Sequence, residues 1–266
     1  MAKIIGVCNQ KGGTGKTTTA INISAFFALA GERTLLIDMD PQGNATSGVG
    51  IELEQRPSIY EGLLEGKNPR EIILSTSWQN LQLIPSSISL TGAEIELVHL
   101  EERENRLIRF LEMIRYDFDY IIVDAPPSLG LLTVNVLAAS DSILIPIQCE
   151  YYALEGVSKL VNTIELIREH LNPQLEIEGV LLTMADFRTR LTLQVIEEVK
   201  KFFKEKTFTT IIPRNIKLAE APSFGNPIPF YDWNCIGTKA YLNLAQEILK
   251  RKVEISFPAN LVKEGR

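Results

Sequence analysis

The sequence predicts an α/β fold in which a doubly wound, mostly parallel sheet carries helices on both faces. Three observations predict it. Short runs rich in Ile, Val and Leu alternate with longer helix-patterned stretches along the chain. Several of those runs are apolar nearly throughout, as strands become when helices cover both faces of a parallel sheet. A glycine-rich segment stands where the first strand hands over to the first helix.

Taken in order, Ile4–Cys8 is the first strand and Lys16–Ala30 the first helix, which stops at Gly31, a residue suited to a helix C-cap. Thr34–Asp38 is the second strand. The stretch Gly43–Ser77, rich in Gly, Pro and Glu, is expected to form loops and short helices over the sheet edge. Leu81–Pro85 follows as a strand, Arg103–Arg115 as a helix, then strands Tyr120–Asp124 and Ser142–Gln148. Helix Gly156–Leu171 ends at Asn172-Pro173, because a proline pushes the residue before it out of helical geometry. Strand Ile177–Met184, helix Leu193–Lys204, strand Thr209–Pro213 and helix Thr238–Lys250 complete the alternation. Without repeats, low-complexity tracts or a linker-like shift in composition, one domain is expected over residues 1–252. Residues 253–266 are expected to form a mobile tail, and Pro258 breaks any amphipathic membrane helix there.

Composition narrows the chemistry. The chain has 266 residues, enough for one large domain or two small ones, and its 45% apolar and 23% charged residues exclude wholesale disorder and fibrous repeats. No apolar run approaches the ~18 residues needed to cross a bilayer. The N-terminal MAKIIGVCNQ lacks a signal-peptide layout, so a soluble intracellular protein is expected. Cys8, Cys149 and Cys235 are odd in number, far apart and without a CxxC pair, which excludes a disulfide framework and a zinc or iron–sulfur ligand set. His99 and His170, the only histidines, read as exposed helix residues rather than members of a catalytic relay.

The most informative segment is Lys11-Gly12-Gly13-Thr14-Gly15-Lys16-Thr17-Thr18. Its glycines let backbone N–H groups turn inward as an anion nest, and the following helix adds its positive end. Lys16 can reach β- and γ-phosphates and Thr17 can ligate Mg²⁺. The strict G-x-x-x-x-G-K-[ST] spacing fails at one position, where Gln10 replaces the first glycine, and Lys11 adds a cation at the start of the loop. The dinucleotide pattern G-x-G-x-x-G fits worse, since Thr18 stands where its third glycine belongs.

Two apolar strands end in carboxylates, Asp38 and Asp124. Ligands of open α/β sheets lie beyond the carboxyl ends of the strands, so both acids should face the phosphate loop. Asp124 suits holding Mg²⁺ through water, Asp38 is available to assist, and Asp40 could orient an attacking water.

KGGTGKTT with its leading Lys11, DMDPQGNATSG (Asp38–Gly48) and IIVDAPPSLGLLTVNVLAASD (Ile121–Asp141) resemble the ParA/Soj family of deviant Walker-A partition ATPases. So do PIQCEYYALEGVSKL, GVLLTMADFRTRLTLQVIEEVKKFF and IIPRNIKLAEAPSFGNPI, and the likeness runs from about Lys3 to Lys250. The resemblance implies a P-loop NTPase fold, ATP and Mg²⁺ as cofactors, dimerisation on ATP binding, non-specific binding of double-stranded DNA, and slow hydrolysis stimulated by a ParB-type partner. It implies that Lys11 crosses to the other subunit's phosphates and that Lys16 and Thr17 hold phosphate and Mg²⁺. Asp40 would position water and Asp124 would be the Walker-B acid. Adenine contacts are implied at Met184, Pro213 and Asn215.

Net charge of −6 argues against a wholly basic nucleic-acid binder. Arg188–Lys217 nevertheless holds eight cations against three acids, net +5. That segment is either a solvated helix face or a weak patch that dimerisation doubles. The resemblance favours the patch, because Arg188 and Arg214 fall where the family places DNA-contacting arginines; Lys200, Lys204 and Lys217 complete the expected set. With the first strand at about Lys3, no helix-turn-helix precedes the loop, so DNA contact should ignore base sequence and the protein should be cytoplasmic and nucleoid-associated. The alternatives are a MinD-like membrane regulator, a P-loop metabolic ligase, and a nucleotide-gated binding module in which Asp40 only shapes a loop.

Overall fold

Strands buried on both faces require a helical layer on each side, and the computed structural model has that arrangement for the residues it describes, 1–52, 56–150 and 153–253. The strands are β1 (Lys3–Val7), β2 (Thr34–Asp38), β3 (Leu74–Ser75), β4 (Leu81–Ile84), β5 (Tyr120–Asp124), β6 (Ser142–Gln148), β7 (Glu176–Ala185) and β8 (Thr207–Pro213). They form one sheet in the order β3-β4-β2-β5-β1-β6-β7-β8, parallel throughout except for the short antiparallel β3 at one edge. Between and after them run α1 (Lys16–Leu29), α2 (Asn44–Gly48), α3 (Ile59–Leu64), α4 (Leu90–Leu97), α5 (Arg106–Glu112) and α6 (Leu131–Ala139). The rest are α7 (Ala153–His170), α8 (Arg190–Phe203), α9 (Ile216–Glu220), α10 (Ile228–Tyr231) and α11 (Ile236–Leu249). The tail expected from 253 lies, from 254 onward, outside the described residues.

Alternation along each strand sends neighbouring side chains into two separate cores. Ile4, Leu35, Ile37, Ile121 and Val123 face a core closed by residues of α3 to α8, including Leu63, Leu97, Phe110 and Val136. Ile5, Val7, Leu36, Ile122 and Leu144 face the other, where Phe26 and Phe27 of α1 meet Tyr241 and Leu244 of α11. Burying apolar surface at roughly 25 cal/mol per Å² on both faces is what holds the sheet flat against its helices. β1 lies between β5 and β6; the connection from β1 to β2 runs to one side of it and the connection from β5 to β6 crosses to the other, which opens a crevice at its carboxyl end.

The structure adds elements that periodicity hid. LLTVNVLAA forms α6, although β-branched and apolar residues surround nearly its whole circumference and give no stripe to detect. Asn172, expected only to end a helix, donates to the carbonyls of Leu137, Ala138 and Ser140 at 3.2, 3.0 and 2.8 Å, and so ties off α6 from 32 to 35 residues away. Gly31 takes φ 90° just beyond α1, the left-handed turn its position suggested. His99 is exposed in the turn after α4, and His170 is the exposed last residue of α7.

At the other edge, the register of β7 and β8 jumps from Val180↔Thr207 to Leu182↔Ile211, so β8 bulges at Thr209 and Thr210. Glu247 of α11 accepts both bulge N–H groups at 2.7 and 3.1 Å and the Thr209 hydroxyl at 2.6 Å. Those donors would otherwise face solvent on an open sheet edge.

Candidate functional site

The chain leaves β1 at Val7 and enters α1 at Lys16, and the loop between them uses Gly13 at φ 73° and Gly15 at φ 86°, conformations closed to most side chains. Gly15 is the N-cap of α1, with no side chain capping it and no acid in the first turn. The first amides of a 14-residue helix therefore point at the crevice unpaired, a ready site for an anion. Lys16 is buried and its ammonium donates to the Lys11 carbonyl at 3.2 Å. Burial pulls its pKa below that of an ordinary lysine, against the nearby charges of Asp124 and Asp40.

Loop residues Gly12, Gly13, Gly15, Lys16, Thr17 and Thr18 line a cleft of about 600 Å³ shared with Asp40, Gln42 and Pro127. A second, largely apolar cavity of about 510 Å³ adjoins it through Gly15, Thr18 and Met184. Ile212, Pro213, Asn215 and Tyr241 close that cavity, so Met184, Pro213 and Asn215 do share one pocket beside the loop. Thr183 locks the two together by donating to the Thr14 carbonyl at 2.8 Å. A polar cleft opening into an apolar one has the form needed for a phosphate chain attached to a planar base.

Asp38 and Asp124 sit in register on adjacent strands and both are fully buried. Their surroundings differ. Asp124 has no hydrogen-bond partner on either carboxylate oxygen. Burial first, and the Asp38 charge second, raise its pKa well above the ordinary carboxylate range, while Thr17 and Lys16 pull the other way. An orphaned buried carboxylate beside a hydroxyl and a phosphate loop fits a bound cation. Among the described residues no cluster of three or more His, Cys, Asp or Glu could hold a metal. The fit is therefore to a cation such as Mg²⁺, which takes one or two protein ligands and completes its shell with phosphate and water.

Asp38, expected to assist the metal, has another task. One of its oxygens accepts from the Thr46 N–H and the Thr46 hydroxyl, both at 2.7 Å, and the other accepts from the Asp40 N–H at 3.1 Å. Burial lifts its pKa to about 6 even so. Three of its acceptor sites are taken by the loop that carries Asp40, so in this structure Asp38 anchors that loop. Asp40 itself lines the cleft, with one oxygen accepting from the Gln42 N–H at 3.0 Å.

Lys11, expected to reach the phosphates of a second subunit, does not line the cleft of its own chain. Its backbone N–H donates to Asn9 at 3.0 Å, and its ammonium rests on Glu150 at 3.3 Å on the surface. Glu150, Thr46 and Ser86 carry no signal of these tasks in the sequence, since each is defined by a partner brought in by folding.

The expected DNA contacts separate into two groups. Arg188 and Arg214 follow the carboxyl ends of β7 and β8, on the same rim as the phosphate loop, and both are exposed. Arg188 is chelated by Asp186, at 2.8 Å through Nε and 2.7 Å through Nη2. Arg188 above all, with Arg214 adding its charge, holds the Asp186 carboxyl down at about 2. Lys217 is on this rim too, but it bonds Glu220 at 3.0 Å and lies 5.5 Å from the Tyr231 ring. Lys200 and Lys204 lie at the far end of α8, and 14 helical residues put them about 20 Å from Arg188. The single patch read from the +5 segment is thus two patches on opposite rims.

Residues 2–177 match the family model described as AAA domain. The sporulation initiation inhibitor protein Soj of Bacillus subtilis is 57% identical over 249 residues, which is 93% of this chain and 98% of that protein. The chromosome partitioning protein ParA of Myxococcus xanthus is 53% identical over 252 residues, 94% of this chain and 89% of that protein. Among solved structures, cobyrinic acid a,c-diamide synthase from Mycobacterium smegmatis with bound ATP analogue and magnesium has TM-score 0.79 and 33% identity, covering 97% of this chain and 100% of that one.

Proposed function

The chain belongs to the ParA/Soj family of chromosome-partitioning ATPases, and from that premise we propose that it works as an ATP-gated clamp on DNA. It is a partition ATPase, with ATP as substrate and Mg²⁺ as its metal. One observation carries the rest of the reading: an uncapped helix N-terminus and a buried lysine face an orphaned carboxylate, while the loop's other lysine is turned away onto the surface.

Each residue has a task in that reading. The amides of the loop from Gly12 to Thr18 and the Lys16 ammonium take the phosphates, and the apolar cavity around Met184, Pro213 and Asn215 takes adenine. Thr17 and Asp124 would hold Mg²⁺, which supplies charge neutralisation at the phosphate oxygens. The Asp40 carboxylate orients a water toward the γ-phosphate. Lys11 lies outside its own cleft, which supports a role on the phosphates of a second copy. Release from exposed Glu150 requires little, since such surface pairs contribute roughly 0–1 kcal/mol. A cation supplied in trans ties the chemistry to dimerisation.

Arg188 and Arg214 share a rim with the nucleotide, so joining two copies through ATP would double the cations offered to a duplex and make binding depend on nucleotide. A ParB-type partner and association with the nucleoid belong to the same reading. No helix among the described residues is long and apolar enough to cross a membrane.

A salt titration of DNA binding with ATP, ADP and no nucleotide tests the clamp. Binding should require ATP and weaken linearly in log–log form with salt. Arg188→Glu or Arg214→Glu should abolish it with ATP affinity intact, and Asp186→Asn should strengthen it. DNA affinity that is equal in all three nucleotide states would overturn the proposal. A metabolic ligase would show no DNA response at all.

A further inference from the structure

We propose that Thr46 and Ser86 are positioning residues for Asp40, an inference that rests on the reading of Asp40 as the group that orients water. The two hydroxyls close a buried circuit. Asp38 accepts from the Asp40 N–H at 3.1 Å and from the Thr46 hydroxyl at 2.7 Å. The Thr46 oxygen accepts from the Ser86 N–H at 3.0 Å, and the Ser86 hydroxyl donates to the Asp40 carbonyl at 2.6 Å. Both backbone polar groups of residue 40 are therefore fixed, the N–H through β2 and the carbonyl through the segment that follows β4.

Asp38 and Thr46 are fully buried and Ser86 is 3% exposed, so water does not compete for these bonds. Asp40, Gln42, Asn44 and Ser47 line the phosphate cleft, whereas Thr46 and Ser86 do not. Any effect of the two hydroxyls on the reaction thus passes through the loop. The circuit spans two parallel neighbours in the sheet, β2 and β4, which makes its anchor points rigid. Misplacing a reacting group by about 1 Å lowers a rate by as much as ~100-fold, so a loosened circuit should be felt in turnover before it is felt in binding.

The test measures ATP turnover at saturating ATP and Mg²⁺, the affinity of a fluorescent ATP analogue, and the melting temperature for Ser86→Ala, Thr46→Val and Thr46→Ser. Ser86→Ala removes only the bond to the Asp40 carbonyl, and should lower turnover about 10-fold while the analogue's Kd stays within ~2-fold. Thr46→Val should do the same or more, and Thr46→Ser, which keeps both bonds, should restore turnover. On an Asp40→Ala background, Ser86→Ala should have no further effect. Equal losses of turnover and affinity, no recovery in Thr46→Ser, or unchanged turnover in Ser86→Ala would each overturn the proposal. If Asp40→Ala alone leaves turnover intact, the reading of Asp40 fails instead, and the two failures are told apart.

Discussion

Replacing Asp124 with Asn should make the nucleotide-free protein more stable and the nucleotide-bound protein less so. The side chain is fully buried, its two oxygens accept no hydrogen bond, and Asp38 lies beside it in register on β2. A buried polar group left unpaired is unfavourable by about 1–3 kcal/mol, and by more when charged; Asn keeps the first cost and gives up the attraction to Lys16, so removing the charge should recover about 1 kcal/mol. For a domain of this size that corresponds to a melting temperature roughly 2–4 °C higher. The pH dependence gives a second handle. Burial raises both carboxyl pKa values, Asp38 to about 6, so the folded state binds these protons more tightly than the unfolded chain. Their contribution is therefore present in full below the unfolded value near 3.8 and is lost as pH rises through the folded values. The difference between variant and wild type should be small at pH 4–5 and widen toward pH 8. Scanning calorimetry with and without Mg²⁺ and ATP measures both effects. Ligand at 100 times its Kd adds about 2.7 kcal/mol to the wild type, and that gain should shrink in the variant. Equal melting temperatures at pH 8, or an undiminished gain from Mg²⁺ and ATP, would refute the reasoning.

Two further outcomes are expected elsewhere in the molecule. Lys11→Ala removes only a surface pair with Glu150, so melting should stay within about 2 °C of wild type; nucleotide binding should persist while the rise in mass with ATP, read by light scattering, disappears. Glu247→Ala should lower stability in urea by about 1–2 kcal/mol, because three hydrogen bonds to a charged acceptor at the β8 bulge are exchanged for bonds to water. Burial opposes ionisation of Glu247, but the bonds from Thr209 and Thr210 outweigh it and hold the pKa below the usual glutamate value. That stabilisation exists above the unfolded pKa and fades as pH falls through the folded one, so wild type and variant should converge in acid.

Much of the fold was legible locally. Strands such as Thr34–Asp38 and Ser142–Gln148 were readable to the residue, since a run buried on both faces must be apolar throughout. The phosphate loop was equally legible, because a nest of amides at a helix start is made by consecutive residues. Helix α6 was not, as a helix surrounded by core loses the stripe that marks a surface helix.

Sequence alone therefore determined the sheet, the loop and the residues able to meet phosphate, all properties of contiguous segments. Tertiary structure decided what each charged side chain does. Two strand-end aspartates that look equivalent in the chain differ because Asp38 accepts from Thr46 twice, whereas Asp124 has only the Thr17 hydroxyl nearby and no hydrogen bond made to either oxygen. Lys11 finds Glu150 139 residues away, and one basic segment divides between two rims because α8 carries it across the sheet. The physical reason is common to all three: the state of a charge is set by the donors, acceptors and solvent around it, and folding brings these from distant parts of the chain.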